Sequence, residues 1–199
     1  MAIYYFNQIV NNVPEDQYFI IDTSFALSIL YEEKKEAIQF HEAIYKKNTL
    51  YSTITTNHEF YNFYWKYAFI EWASKEYSDI PPNLTVYDLK ERKIEDIINK
   101  SNKNGKLKNM TDYFSNPNKT FMSKIMRFNA LFPYKHWDKT TKMKLEDLAS
   151  VMRKYLLRSS DAMIANYCLC SKKDKEFTGL ITCDWAFSRL KNDIDIFLP

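Results

Sequence analysis

Two aspartates follow short apolar segments that predict buried strands. Asp22 comes directly after Tyr18-Phe19-Ile20-Ile21, and Asp184 comes directly after Leu180-Ile181-Thr182-Cys183. Short runs of β-branched and aromatic residues are typical of strands in a parallel sheet. In an open parallel sheet, ligands bind at the carboxyl ends of the strands. We therefore expect the two carboxylates to share one site, although they are far apart in the sequence.

Two further acids occupy comparable positions. We predict Glu59 in the first turn of a helix that follows a second strand, and Asp161 in the first turn of a helix capped by Ser159-Ser160. The amino ends of these helices and the carboxyl ends of the strands lie at one edge of the sheet, so all four acids can converge. For Glu59 or Asp161 alone, a favourable interaction with the helix dipole is a sufficient explanation. That explanation does not account for acids that end two apolar strands.

Four carboxylates at one edge of a sheet point to a metal site. Clustered carboxylates raise one another's pKa unless a cation is present. Their oxygen atoms are the ligands that Mg²⁺ and Mn²⁺ prefer. Such a site can activate water and stabilise the charge that develops when a phosphodiester is displaced. The sequence therefore predicts Mg²⁺ or Mn²⁺ as a cofactor.

The predicted elements that position these acids alternate between strand and helix. We predict strands over 18–21, 49–54, 179–183 and 194–198, and helices over 24–31, 35–47, 55–73, 88–99, 120–132, 141–157, from 159 onward and over 185–191. This alternation implies an α/β fold with a central parallel sheet and helices on both faces. The region from about 75 to 150 lacks strand signals. We interpret it as a helical insertion, with a polar loop over 101–109, in a single domain of 199 residues.

Composition excludes several classes of protein. Hydrophobic residues make up 46% and aromatic residues 17%, which indicates a globular chain with a substantial core. Only two glycines occur, so a glycine-rich phosphate loop is excluded. Three cysteines without framework spacing, and a start that lacks a basic segment followed by an apolar one, predict a cytoplasmic protein. No stretch is long and apolar enough to predict a membrane span.

Charge is distributed unevenly along the chain. Residues 100–158 contain fourteen Lys and Arg against four acids, a net charge of +10, whereas the remainder carries −7. This separation of charge along the chain is expected if metal-binding carboxylates lie beside a basic surface that binds a polyanionic substrate. A solvated, lysine-rich helical surface explains the basic segment equally well.

Aromatic residues are concentrated between Phe60 and Trp72, too densely for a core alone. An interface in a homodimer is one explanation, because Tyr and Trp are favoured at such interfaces. Stacking on RNA bases is the other. A separate aromatic residue, Trp185, directly follows Asp184 and can either pack beneath the site or cover it.

Four segments of the chain, taken together, match a known pattern. They are Ile20-Ile21-Asp22-Thr23-Ser24, Thr55-Thr56-Asn57-His58-Glu59-Phe60, Ser160-Asp161-Ala162-Met163-Ile164-Ala165 and Ile181-Thr182-Cys183-Asp184-Trp185-Ala186-Phe187. In content and order they resemble the PIN-domain family of metal-dependent ribonucleases, which includes the VapC-type toxins. The resemblance covers roughly residues 17–72 and 158–197.

The resemblance implies a three-layer α/β/α fold and hydrolysis of RNA. It implies that Mg²⁺ or Mn²⁺ is held by the four acids, Asp22, Glu59, Asp161 and Asp184. It also implies that the hydroxyls of Thr23, Ser24 and Thr182 orient the carboxylates or the water on the substrate side. An antitoxin protein would be a further partner if the chain is a toxin.

The chain departs from the family pattern in two ways. Many members carry an acid two residues after the one matching Asp184, where this chain has Ala186, which leaves open whether one or two metals bind. The stretch between Glu59 and Asp161 is longer than in compact toxins. Our leading hypothesis is a cytoplasmic endoribonuclease. The alternatives are a catalytically degenerate module that binds nucleic acid or a protein partner, and a nuclease acting on structured DNA.

Overall fold

The computed structural model describes residues 2–9, 13–31, 34–78, 80, 84–86, 89, 91–116, 120–135 and 145–199. Within these residues the strands are β1 (Ile3–Tyr5), β2 (Tyr18–Ile21), β3 (Thr49–Tyr51), β4 (Phe177–Ile181) and β5 (Ile196–Leu198). The α-helices are α1 (Phe6–Ile9), α2 (Thr23–Leu30), α3 (Lys35–Ile44), α4 (Ile54–Glu76), α5 (Glu91–Lys103), α6 (Leu107–Ser115), α7 (Thr120–Leu131), α8 (Leu145–Tyr155) and α9 (Ser159–Ser171). A 3₁₀ helix spans Trp185–Leu190.

The strands form one parallel sheet in the order β1-β5-β4-β2-β3. Strands β2 and β4 are neighbours, with Phe19 opposite both Leu50 of β3 and Gly179 of β4. The chain leaves β2 towards β3 on one side and leaves β4 towards β5 on the other. Such a divergence creates a crevice at the carboxyl ends of the two strands. The parallel sheet confirms the predicted α/β class.

Alternate residues of the central strands pack on opposite faces of the sheet. Ile20, Leu180 and Ile196 belong to a buried cluster with residues of α8, α9 and the 3₁₀ helix. On the other face the Phe197 ring contacts Phe40 of α3 at 6.2 Å between centroids. Helices on both faces are compatible with the expected three-layer α/β/α arrangement.

Gly179 allows β4 and β5 to approach closely. A Cβ atom at this position would lie 2.4 Å from the carbonyl oxygen of Asp195 and 2.8 Å from a ring carbon of Phe197. Only a residue without a side chain fits this backbone contact. The contact matters for the site because β4 leads to Asp184.

The predicted and observed elements differ at several points, and the strand predicted over 49–54 ends at Tyr51. Strand β1 was not predicted, and it forms an edge of the sheet beside β5. Helix α6 occupies part of the predicted polar loop over 101–109, and the actual turn contains Gly105 with a φ of 69°. Helix α4 begins at Ile54, earlier than predicted, because Thr53 accepts a hydrogen bond from the N–H of Thr56 at 3.0 Å. Residues 141–144 of the helix predicted from 141 lie outside the described residues.

The chain divides into two compact units, Met1–Phe60 with Phe128–Pro199, and Tyr61–Arg127. The first unit contains the sheet and all four predicted site acids. The second is helical, and it overlaps the insertion predicted at about 75–150. Its core residues include Phe69, Trp72, Tyr77, Leu89, Ile94 and Ile97. None of the described helices is long and apolar enough to cross a membrane.

The aromatic run of α4 contributes mainly to the interior. Phe60, Tyr64, Phe69 and Trp72 are all buried, whereas Tyr67 is 41% exposed. Burial of these four rings explains much of the aromatic density. The predicted homodimer interface therefore remains a prediction that concerns the exposed rings.

Candidate functional site

Asp22 is a buried carboxylate at the end of β2. Its residue is only 4% exposed, and it forms the N-cap of α2. Its Oδ1 accepts a hydrogen bond from the N–H of Phe25 at 3.0 Å. The Ser24 hydroxyl lies 2.7 Å from Oδ2 and 3.0 Å from Oδ1 and donates to the carboxylate. The start of α2 therefore fixes the position of this acid.

Burial raises the pKa of Asp22 from 3.8 to about 6. Hydrogen bonds from Phe25, Ser24 and Thr182 favour the ionised form and limit the rise, while the negative charge of Asp184 adds to it. A carboxylate removed from water costs free energy in its charged form. The hydrogen bonds thus stabilise the ionised form of Asp22 at a position where burial disfavours it.

Two hydroxyls join the start of α2 to the segment that follows β4. The Oγ of Ser24 accepts a hydrogen bond from the N–H of Cys183 at 2.9 Å. The Oγ1 of Thr182 accepts one from the N–H of Asp184 at 2.9 Å, and the two hydroxyl oxygens are 3.5 Å apart. These contacts hold the backbone that carries Asp184 beside Asp22.

Glu59 lies in the second turn of α4, not in the first turn as predicted, because the helix begins earlier. It is half-buried, and its Oε2 accepts a hydrogen bond from the Thr23 hydroxyl at 2.6 Å. The helix itself is tied to the sheet because the Thr56 hydroxyl donates to the carbonyl oxygen of Ile21 at 3.0 Å. Through its hydrogen bond with Thr23, Glu59 is linked to the residue next to Asp22.

Asp161 lies in the first turn of α9, as predicted. The predicted cap by Ser159-Ser160 is wrong, because the N-cap is Arg158 and Ser159 is already helical. Burial raises the pKa of Asp161, and the negative charges of Glu59 and Asp184 raise it further. The positive charge of Arg158 and a hydrogen bond from its backbone N–H lower it.

Asp184 is the exposed member of the four. Its Oδ1 accepts a hydrogen bond from the N–H of Ala186 at 2.8 Å, so the carboxylate caps the 3₁₀ helix. Its negative charge raises the pKa of both Asp22 and Asp161. Asp184 is therefore electrostatically coupled to both of these acids.

The four acids form one electrostatic cluster without forming a closed ligand set. As their side chains are arranged, the described residues contain no group of three or more His, Cys, Asp or Glu side chains that could hold a metal ion. All four offer carboxylate oxygens, which fit Mg²⁺ or Mn²⁺ chemically. Mg²⁺ is commonly held by only one or two carboxylates, with waters and substrate phosphate completing its coordination. The donor chemistry fits that mode of binding.

Two residues near the acids were not predicted as part of the site. Arg158 supplies a positive charge beside Asp161, and its position three residues earlier on the chain was the available signal. Thr56 anchors α4 to the end of β2. A hydroxyl at that position gives no sequence signal, because its partner is a carbonyl distant in the chain.

Part of the charge on the basic segment is compensated within the fold. Ion pairs join Lys106 to Glu76 at 3.3 Å, Lys135 to Asp174 at 3.5 Å and Lys154 to Asp193 at 3.1 Å. These lysines therefore have acidic neighbours already. Binding of RNA by this segment stays a prediction.

Comparison of the chain with protein-family models, with curated proteins and with solved structures gave no match. The resemblance to the PIN-domain family rests on the four segments quoted above.

Proposed function

We propose that this protein is a metal-dependent endoribonuclease with a PIN-like fold, acting in the cytoplasm. Its reaction site would be the carboxyl edge of the sheet, where Asp22, Glu59, Asp161 and Asp184 would bind Mg²⁺ or Mn²⁺. One observation carries the proposal: the buried carboxylate of Asp22 lies close to further acids, and the negative charge of Asp184 raises the pKa of both Asp22 and Asp161. Like charges placed together destabilise the folded protein unless a cation neutralises them.

The residues around the acids have separate tasks in this proposal. A bound Mg²⁺ or Mn²⁺ would supply positive charge for the phosphate and a more acidic water. Ser24 and Thr182 hold the two strand ends together, which keeps Asp22 beside Asp184. Arg158, which is exposed beside Asp161, would contact a phosphate oxygen of the substrate.

RNA is proposed as the substrate because of the resemblance to the PIN-domain family and the net charge of the basic segment. An antitoxin is the protein partner that the same resemblance implies. A small neighbouring reading frame for a DNA-binding protein would support that partner.

The proposal is tested by cleavage of a labelled RNA and a DNA of the same sequence, each with Mn²⁺, Mg²⁺ or EDTA. We expect metal-dependent cleavage of RNA, and a loss of about 100-fold or more in Asp22→Asn and Asp184→Asn. Glu176→Gln is the matched control, because Glu176 is an exposed acid before β4, at the opposite edge of the sheet. Circular dichroism verifies that the variants are folded. Undiminished cleavage in both variants, or in EDTA, would refute the mechanism, and cleavage of DNA alone would identify a DNA nuclease.

A second candidate is a non-catalytic module that binds nucleic acid or a protein. It is favoured by the hydrogen bonds that Glu59 and Asp184 already make with Thr23 and the Ala186 N–H. These contacts give two of the acids structural tasks. Calorimetric titration with Mn²⁺ separates the candidates, since binding that disappears in Asp22→Asn favours the nuclease and the absence of binding favours the module.

A further inference from the structure

The indole of Trp185, the residue that directly follows Asp184, is exposed to solvent. The residue is 55% exposed, and it is the first residue of the 3₁₀ helix that Asp184 caps. The hydrogen bond from the N–H of Ala186 to Asp184 and burial of Phe187 fix the backbone on its carboxyl side. Burying a large aromatic ring would stabilise the protein. The exposed position of Trp185 therefore forgoes this stabilisation at the edge where the reaction site is proposed.

Tyr5 provides a neighbour for this indole on one side. The two ring centroids are 6.1 Å apart, and the ring planes are inclined by 46°. Tyr5 ends β1, which is separated from β4 by β5 in the sheet. The aromatic pair thus extends the carboxyl edge from Asp184 towards the β1 side of the sheet.

The acids make binding of a polyanion at this edge difficult, because their negative charges repel phosphates. An aromatic ring binds a base through its π-face, and this contribution does not depend on neutralising charge. In a duplex both faces of each base are covered by neighbouring bases, so an indole can stack only on an unpaired base. A solvent-exposed indole next to Asp184 therefore suits a single strand.

Resting on the proposed ribonuclease activity, we infer that Trp185 stacks on an unpaired base next to the phosphate that is cleaved. The substrate class is then single-stranded RNA, or a loop within a folded RNA. Truncation of an aromatic ring that stacks on one base weakens binding by roughly 5- to 150-fold.

The inference is tested by fluorescence anisotropy with a labelled single-stranded RNA and a hairpin stem of the same composition. Binding is measured in the Asp22→Asn background, so that cleavage does not interfere, and in the wild type with EDTA. We expect Trp185→Ala to weaken single-strand binding 5- to 150-fold in both backgrounds and Trp185→Phe to restore most of it. Hairpin-stem binding should change less than twofold. The matched control is Tyr45→Ala, because Tyr45 is 43% exposed in a cavity near the amino ends of β2 and β3.

Three outcomes would overturn the inference. In the first, the affinity of Trp185→Ala for the single strand stays within twofold of the wild-type affinity. In the second, Trp185→Ala loses as much affinity for the hairpin stem as for the single strand. In the third, Trp185→Ala changes the oligomeric state of the protein. The last would identify the indole as a contact between protein molecules. Wild-type cleavage with unchanged binding in Trp185→Ala removes this inference and leaves the ribonuclease proposal standing. Binding that depends on Trp185 without any cleavage removes the ribonuclease proposal instead.

Discussion

Replacing Asp22 with asparagine should make the metal-free protein more stable at neutral pH, although it removes a proposed site residue. Asp22 is buried, and its pKa rises from 3.8 to about 6 in the folded protein. The folded state therefore binds the proton more tightly than the unfolded state. The contribution of Asp22 to the free energy of unfolding is fully present below pH 3.8 and is lost as the pH rises through about 6.

The size of the effect follows from the same two pKa values. The difference between 3.8 and about 6 corresponds to about 3 kcal/mol of destabilisation above pH 7. Asparagine carries no charge and is a good N-cap, so it can still accept the hydrogen bond from the Phe25 N–H. Weaker hydrogen bonds to the neutral amide should cost about 1 kcal/mol. The net gain in Asp22→Asn is therefore about 2 kcal/mol at pH 7.5, or roughly 4–8 °C in Tm.

Urea unfolding in EDTA, followed by circular dichroism at intervals from pH 4 to pH 8, measures this effect. The difference in free energy of unfolding between Asp22→Asn and wild type should rise with pH across this range. Subtracting the wild type removes the titration of other acids, and Glu176→Gln controls for the loss of one negative charge. A variant that is less stable than wild type at pH 7.5, or a difference that does not vary with pH, would refute the reasoning.

Three further predictions concern the residues that support the site. Gly179→Ala should destabilise the protein by about 3 kcal/mol in urea unfolding, because the added Cβ collides with the backbone. At Gly105 an added Cβ meets open space, so Gly105→Ala should cost only about 1 kcal/mol, the strain of a φ of 69°. Equal costs for the two variants would contradict this account. Thr56→Val should lower the free energy of unfolding by about 1–3 kcal/mol, because its buried hydroxyl is hydrogen-bonded, and an unchanged urea midpoint would count against this role. Arg158→Gln should raise the pKa of Asp161 in a carboxyl-detected NMR titration, because it removes the neighbouring positive charge, and an unchanged pKa would disprove the coupling.

The centre of the sheet could be predicted because its strands are buried on both faces. Strand β2 coincides with the predicted segment 18–21, and all its residues are buried. A strand of this kind reads as a continuous apolar run. Strand β4 begins two residues earlier than predicted because Phe177 and Thr178 are only half-buried, so the run starts there without a clear apolar signal.

The edge of the sheet could not be predicted in the same way. Strand β1 contains three half-buried residues and pairs only with β5, near the other end of the chain. Neither hydrophobic periodicity nor a local turn marks such a strand. Helix α6 was missed for a different reason, because Gly105 and the surrounding polar residues indicate a loop when the tertiary contacts are unknown.

The positions of the site acids could be predicted better than their contacts. The parallel topology places residues after β2 and β4 side by side, so the proximity of Asp22 and Asp184 follows from strand assignment alone. The hydrogen bonds that hold Glu59 to Thr23 and Asp184 to Ala186 depend on rotamers and on where each helix begins. These hydrogen bonds determine how the carboxylates are oriented before a metal binds.

The most direct test of the central claim is an anomalous difference map from crystals grown with Mn²⁺. The account predicts a peak in the crevice between β2 and β4, coordinated by Asp22 and at least one of Glu59, Asp161 and Asp184. The same map from Asp22→Asn crystals should lose that peak. Well-ordered wild-type crystals in Mn²⁺ that show no peak among these four carboxylates would contradict the account.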